Sequence, residues 1–411
     1  MIDFQHFTLE NGLKVYVHED HSVPTAAMNI LYNVGSRDEN PEKTGFAHLF
    51  EHLMFGGSKN IPEYDKPLQK VGGENNAFTS PDITNYYLTL PAQNLETAFW
   101  LESDRMMSLN FNPEVLEVQR KVVIEEFKQR YLNQPYGDVW LKLRPLAYQV
   151  HPYQWATIGK DISHIEDATM EDVKSFFYKY YLPNNAIMVL AGNVKTDDIK
   201  KLSEKWFAPI PAGEQYVRNL PKEPKQTEAR FMEIQADVPA NMIYKVFKMS
   251  DKQSPQYLPT DLLSDILGRS KSSRLHQKLV QESQLFAAAN AYITGSMDEG
   301  LFCVSGKVKE GVSIADAENA MSEVIAEIKQ ERVSEEELQK VKNQAESTLI
   351  LGEIEVLSRA MNLAYCALLG DANLINEESA KIQAITKEEL FKVANEVLSP
   401  ESCTTLHYKM N

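Results

Sequence analysis

Alternating apolar and polar residues predict several strands in the first part of the chain. Residues 13–18 alternate with a period of two, and Asn11-Gly12 before them is a typical hairpin turn. Residues 25–34 are mostly apolar and predict a buried strand, whereas residues 76–90 are rich in Thr and Tyr and predict two strands. The first 90 residues are thus predicted to be mainly strands, with one helix that ends at Gly56-Gly57.

Helical patterns follow these strands. A long helix is predicted to start after Asn112, a typical N-cap, with Pro113 in its first turn, and to reach about Leu132. Residues 170–181 predict another helix, and the apolar residues 186–192 predict a buried strand.

A polar stretch that contains four prolines, residues 209–227, divides the chain. We interpret it as a linker over 211–228 between domains at 1–210 and 229–411. Strands and helices recur beyond it in a similar order, including a helical tract over 314–369 and a last strand near the end. The repeated order indicates a duplicated α+β domain.

Composition and charge limit the classes of binding partner and the cellular compartment that we expect for this protein. A formal net charge of −16 disfavours nucleic acid and anionic membrane surfaces. No apolar run is long enough for a membrane span, and the N-terminus lacks the features of a signal peptide. We therefore expect a cytoplasmic protein, or a periplasmic one if a signal peptide was removed. Three scattered cysteines predict free, packed thiols without disulfides.

The segment His48-Leu49-Phe50-Glu51-His52 carries the clearest chemistry. Histidines four residues apart lie on one face of a helix, so both imidazoles can reach one metal ion. Glu51 shares that face and can take a proton from an attacking water. The alternative is a helix with two solvent-facing histidines, but the apolar neighbours predict a buried helix. The order H-x-x-E-H is that of the inverted zinc peptidases and predicts Zn²⁺ as cofactor.

Further segments along the whole chain resemble the pitrilysin/insulinase family of zinc peptidases. They are similar to its short branch, which includes the mitochondrial processing peptidase β subunit and bacterial relatives. The segments are Asn11–Leu13, Gly35–Glu39, Gly45–His48, Asn76–Thr79, Gln119–Glu126, His151–Tyr153, Pro183–Ala186 and Gly192–Val194. The resemblance implies a zinc metalloendopeptidase of α+β class, with two homologous domains forming half of a clamshell. Each domain is then a mostly antiparallel sheet packed against helices.

The resemblance also points to a third zinc ligand. Two histidines leave a catalytic zinc one protein ligand short of the usual three. The family motif favours Glu126, although helical periodicity alone does not separate it from Glu125. Family members commonly have a glutamate seven residues before this ligand, where this chain has Gln119. Glutamine can still hydrogen-bond a ligand histidine but adds no negative charge, which could weaken zinc binding.

The same resemblance suggests how a peptide substrate binds. The family's edge strand receives an extended peptide through main-chain hydrogen bonds, a mode that requires an unfolded segment. The corresponding residues here are Asn76, Ala77, Phe78 and Thr79.

A second departure from the family concerns an arginine and a tyrosine. Complete enzymes carry this pair in their second half, where this chain has Val280 and Ala287. Arg274 and Tyr292 lie nearby but out of register. We therefore expect activity only in a heterodimer with a homologous chain that supplies the pair, although the isolated chain could form a homodimer. The alternative is a non-catalytic scaffold, or a peptide-binding member of the same fold.

Overall fold

The structure, a computed structural model, describes residues 1–411 and confirms the α+β class. Up to residue 210 the strands are β1 Gln5–Thr8, β2 Lys14–Glu19, β3 Thr25–Tyr32, β4 Glu74–Thr79, β5 Thr84–Pro91 and β6 Ala186–Gly192. The helices there are α1 Phe46–Leu53, α2 Asp65–Lys70, α3 Leu95–Met107, α4 Pro113–Phe127, α5 Val139–Ala147, α6 Ser163–Glu166, α7 Met170–Tyr180 and α8 Thr196–Trp206.

The second half contains five strands and six helices. Its strands are β7 Arg230–Ala236, β8 Met242–Lys248, β9 Phe286–Ile293, β10 Leu301–Val308 and β11 Cys403–Met410. Its helices are α9 Tyr257–Gly268, α10 Ile314–Gln330, α11 Glu335–Gly352, α12 Val356–Leu368, α13 Leu374–Ala384 and α14 Lys387–Val397. The helical tract predicted over 314–369 is therefore three helices, because the chain turns after Gln330 and again after Gly352.

The two sheets have the same pattern of pairing. The first has the order β1-β2-β6-β3-β5-β4 and the second the order β7-β11-β8-β10-β9. Each contains one parallel pair, β2 with β6 and β7 with β11, and all other pairs are antiparallel. The equivalent order supports the predicted duplication, with β1 as an extra strand in the first sheet. Strand β4 lies at an edge.

The chain forms two compact units, each built from three segments that are not contiguous in sequence. One unit comprises residues 1–129, 155–220 and 350–377, and the other comprises 130–154, 221–349 and 378–411. The predicted boundaries, 1–210 and 229–411, separate the two sheets but not these units. The physical reason is helix packing: α12 packs on β3 and β6 of the first sheet, whereas α5 packs on β7 and β11 of the second.

Apolar side chains cover both faces of the second sheet. Helices α9, α10 and α14 pack on one face and α5 on the other. All three cysteines are free and buried, as predicted. None of the helices is both long enough and apolar enough to span a membrane.

Candidate metal centre

Helix α1 is held in place by its apolar side chains. Leu49, Phe50 and Leu53 are buried. The ring centroid of Phe50 lies 4.6 Å from that of Tyr181, which lies 4.6 Å from the ring of Tyr32 on β3. These tilted aromatic contacts hold the helix against the first sheet. His48 and His52 occupy the remaining face, where their side chains are partly exposed.

Helix α4 brings Glu126 to the two histidines. Its Oε2 atom lies 3.7 Å from Nε2 of His48 and 3.5 Å from Nε2 of His52. One ligand atom from each of these residues lies within 4.8 Å of the others. Atoms bound at about 2.0–2.1 Å to a tetrahedral Zn²⁺ ion are about 3.4 Å apart. The spacing and chemistry of this donor set therefore fit a zinc ion.

The neighbouring carboxylate points elsewhere. The side chain of Glu125 is 61% exposed and forms an ion pair with Lys128 at 2.9 Å, whereas the side chain of Glu126 is only 18% exposed. The structure thus brings Glu126, and not Glu125, to the histidines. Gln119 is partly buried on the same helix as Glu126 and two turns before it. Its support of a ligand histidine stays a prediction.

Glu51 lies beside the three residues and is held by a hydroxyl group. The Oγ1 atom of Thr79 donates a hydrogen bond of 2.5 Å to Oε2 of Glu51. Burial raises the pKa of Glu51, while the bond from Thr79 and the charge of His52 act in the opposite direction. Glu51 is therefore placed to exchange a proton next to the histidines without being part of the three-residue cluster.

Strand β4 runs beside α1 and pairs only with β5. Of the four predicted substrate residues, Asn76 and Phe78 are exposed, Ala77 is buried and Thr79 is partly buried. Thr79 lies on the same face as Ala77, and its hydroxyl bonds Glu51. Because β4 is the last strand in the sheet order, one of its edges has no neighbouring strand. Such an edge can accept another extended chain.

Comparison with known proteins identifies the family. Residues 14–159 match the model described as Insulinase (Peptidase family M16), and residues 167–345 match that of the Peptidase M16 inactive domain. The Zinc protease PqqE of Helicobacter pylori is 31% identical over 98% of this chain and 92% of its own length. The chain belongs to peptidase family M16. The resemblance predicted from the sequence motifs is thereby confirmed.

Further proteins match over most of the chain. A crystal structure of a protease from Helicobacter pylori has a TM-score of 0.94 and 29% identity, with 100% of both chains covered. A probable mitochondrial-processing peptidase subunit beta of Arabidopsis thaliana is 25% identical over 95% of this chain and 75% of its own length. Both sheets and their helices thus belong to a fold that a known protease shares.

The two residues at the positions predicted to depart from the family, Val280 and Ala287, lie in the second unit. Val280 lies in a π-helical segment and packs against the apolar core, and Ala287 is exposed at the start of β9. Neither can donate a side-chain hydrogen bond. Arg274 is already held by Glu337 through two bonds of 2.8 and 3.0 Å, and Tyr292 is 36% exposed on β9. Arg274, which is near these positions in sequence, is thus engaged in two bonds within its own unit.

Sequence reasoning gave no role to Glu39, whose carboxylate reaches the start of α1. It accepts hydrogen bonds from the backbone N–H groups of Gly45 and Ala47, which are three residues and one residue before His48. The only signal was its position in the Gly35–Glu39 segment that resembles the family. Its partners could not be identified because they depend on how the preceding loop folds back.

Proposed function

We propose that this chain is a zinc-dependent endopeptidase subunit that cleaves peptides or unfolded segments. The observation that carries the proposal is the convergence of His48, His52 and Glu126 from two helices at ligand spacing. A relative that matches nearly the whole chain is named as a zinc protease. These residues would be the three protein ligands, which leaves a fourth position for water or substrate.

A bound zinc ion would lower the pKa of a water molecule and polarise the carbonyl of the scissile peptide bond. Glu51 accepts a proton from the attacking water and later gives it to the leaving amine. The hydroxyl of Thr79 holds the Glu51 carboxylate in one orientation for this exchange.

Substrate binding is assigned to β4. The open edge of Asn76, Ala77, Phe78 and Thr79 would pair with an extended peptide through main-chain hydrogen bonds. Since Thr79 also holds Glu51, the peptide would lie next to the proton-accepting group. A folded protein cannot present an extended strand without local unfolding, so flexible peptides are the expected substrates.

The ligand assignment predicts different effects of two adjacent glutamates on zinc content. Glu126→Gln should reduce zinc bound per chain from about one to a small fraction at limiting zinc, because an amide oxygen is a weaker, uncharged ligand. Glu125→Gln is the matched control and should leave zinc content unchanged, because Glu125 is exposed and pairs with Lys128. Metal analysis of the two purified variants checks this. The opposite result would make Glu125 the ligand.

The net charge predicts a preference among substrates. Because the chain has a formal net charge of −16, it should cleave cationic peptides faster than matched anionic peptides at low salt. Added salt should reduce the difference, because the screening length falls to about 10 Å at about 0.1 M. The measurement is kcat/KM for fluorogenic peptides that differ only in flanking charges, over a salt series. Equal values at low salt would refute the electrostatic preference, but not the zinc assignment.

A further inference from the structure

We propose that Glu39 is a positioning residue for the metal centre: its buried carboxylate holds the first turn of α1 and thereby orients His48. This inference rests on the proposed zinc site, because it concerns the helix that carries two of its ligands. Glu39 itself touches no proposed ligand side chain. It acts through the backbone of the residues that precede His48.

Three N–H groups converge on the Glu39 carboxylate. The N–H of Gly45 bonds Oε2 at 3.0 Å, and the N–H of Ala47 bonds Oε1 at 2.8 Å. The indole N–H of Trp155 reaches Oε2 at 3.1 Å. Glu39 is only 7% exposed, so these bonds replace water. Every one of these groups is a donor, which suits an ionised carboxylate.

The first turn of α1 has few other means of support. The first N–H groups of a helix have no partner within the helix, and a side-chain acceptor normally satisfies them. The N-cap residue here is Gly45, which has no side chain to do so and adopts a φ of 87°. Glu39 supplies the missing acceptor from six residues upstream. Its negative charge also interacts favourably with the positive end of the helix dipole.

The start of α1 is also tightly packed, so it has one defined position. A Cβ atom on Gly45 would approach the carbonyl oxygen of Ile158 to 2.7 Å. Trp155 fixes the acceptor in turn, since its indole N–H also bonds the carbonyl oxygen of Ser36 at 2.9 Å. The bonds of Trp155, Glu39 and Ala47 therefore form a continuous connection that ends one residue before His48.

This connection matters for the metal because ligand geometry has little tolerance. The Nε2 atom of His48 lies 3.7 Å from the Glu126 carboxylate on another helix. A shift of the first turn would move His48 while leaving His52, a full turn later, less affected. Residues that orient zinc ligands typically change metal affinity by about 10–100-fold when they are mutated.

The test is zinc affinity, measured by competition with a chelator on the purified chain. Glu39→Gln should raise the Kd for zinc by about 10–100-fold, because one amide oxygen cannot accept from three donors and its NH₂ group opposes them. Burial raises the pKa of Glu39 to about 8, against the effect of its N–H bonds. The titrations are therefore made above this pH, where the carboxylate of the parent chain is ionised.

Asp38→Asn is the matched control. Asp38 is the adjacent residue and is also buried, and its carboxylate accepts from Arg218 at 2.7 and 3.0 Å and from Tyr216 at 2.9 Å. It makes no bond to α1. Asp38→Asn should lower the free energy of unfolding of the metal-free chain, yet leave the Kd for zinc within about twofold of the parent, since no ligand-bearing backbone is moved.

Three results would overturn the inference. They are an unchanged Kd in Glu39→Gln, an equal rise in Asp38→Asn, and full recovery of the Glu39→Gln defect at a temperature where both chains are equally folded. If Glu39→Gln does not fold, Glu39→Asp decides, since it keeps the charge but its shorter side chain withdraws the carboxylate from the N–H groups of Gly45 and Ala47. An unchanged Kd there would also refute the role of Glu39. Failure of the parent chain to bind zinc would instead refute the proposed function.

Discussion

Glu51→Gln should reduce peptide hydrolysis by about 10²–10⁴-fold, the usual contribution of a general base, while zinc content stays at the parent level. The amide cannot accept a proton from water, so the attack loses its base. Its oxygen can still accept the hydrogen bond from Thr79, which holds the parent carboxylate at 2.5 Å. The side chain should therefore keep its position, and the loss would report on proton transfer alone.

The measurement combines turnover of a fluorogenic peptide with metal analysis of the same sample, under the conditions in which the parent chain is most active. Glu125→Gln serves as the control, because it removes a carboxylate from the adjacent helix without touching the cluster. Loss of zinc together with activity would make Glu51 a ligand. Retention of both would remove it from the mechanism altogether.

The parts of the site that lie within one helix could be predicted from the sequence. The spacing of His48, Glu51 and His52 places them on one side of α1, and the buried Leu49 and Phe50 occupy the other. Periodicity determines such relations because the helix is regular. The same reasoning gave the α4 N-cap, where Asn112 accepts from the N–H of Glu114 at 2.8 Å.

Relations between helices could not be predicted in this way. Glu125 and Glu126 are both plausible ligands by periodicity, and only the packing of α4 beside α1 turns Glu126 toward the histidines. The same limit applies to Glu39, whose contact with α1 depends on the turn formed by residues 40–44. In both cases the interaction joins two separate segments of the chain, and the periodicity within one segment does not show which residues of another segment it contacts.

Unit boundaries were also beyond sequence reasoning. Proline and polarity place a linker near residues 211–228, but they do not show which sheet a helix will cover. Helix α12 belongs by position to the second half, yet it packs on the first sheet through an apolar face that includes Leu363 and Ala364. The apolar face of an amphipathic helix can pack on either sheet, so the sheet that it covers is determined by tertiary packing.

The chain alone should bind zinc but cleave peptides slowly, and a homologous chain that supplies an arginine and a tyrosine should raise the rate. The proposal rests on Val280 and Ala287, which hold the corresponding positions and cannot donate a hydrogen bond. Removing one donor to a developing oxyanion typically costs about 10²–10³-fold in rate. The expected gain on adding the partner is therefore at least about 10²-fold.

A second copy of this chain should not replace that partner, because both copies lack the same two side chains. Arg274 is also unsuited to substitute, since leaving Glu337 would break two bonds to a carboxylate. The decisive measurement is turnover of a fluorogenic peptide by the zinc-loaded chain alone, over a range of protein concentrations, and then with the partner added. Fast turnover by the chain alone would contradict partner dependence. In that case Arg274→Ala and Tyr292→Phe would show which nearby donor acts instead, because removal of the true donor should again cost about 10²-fold.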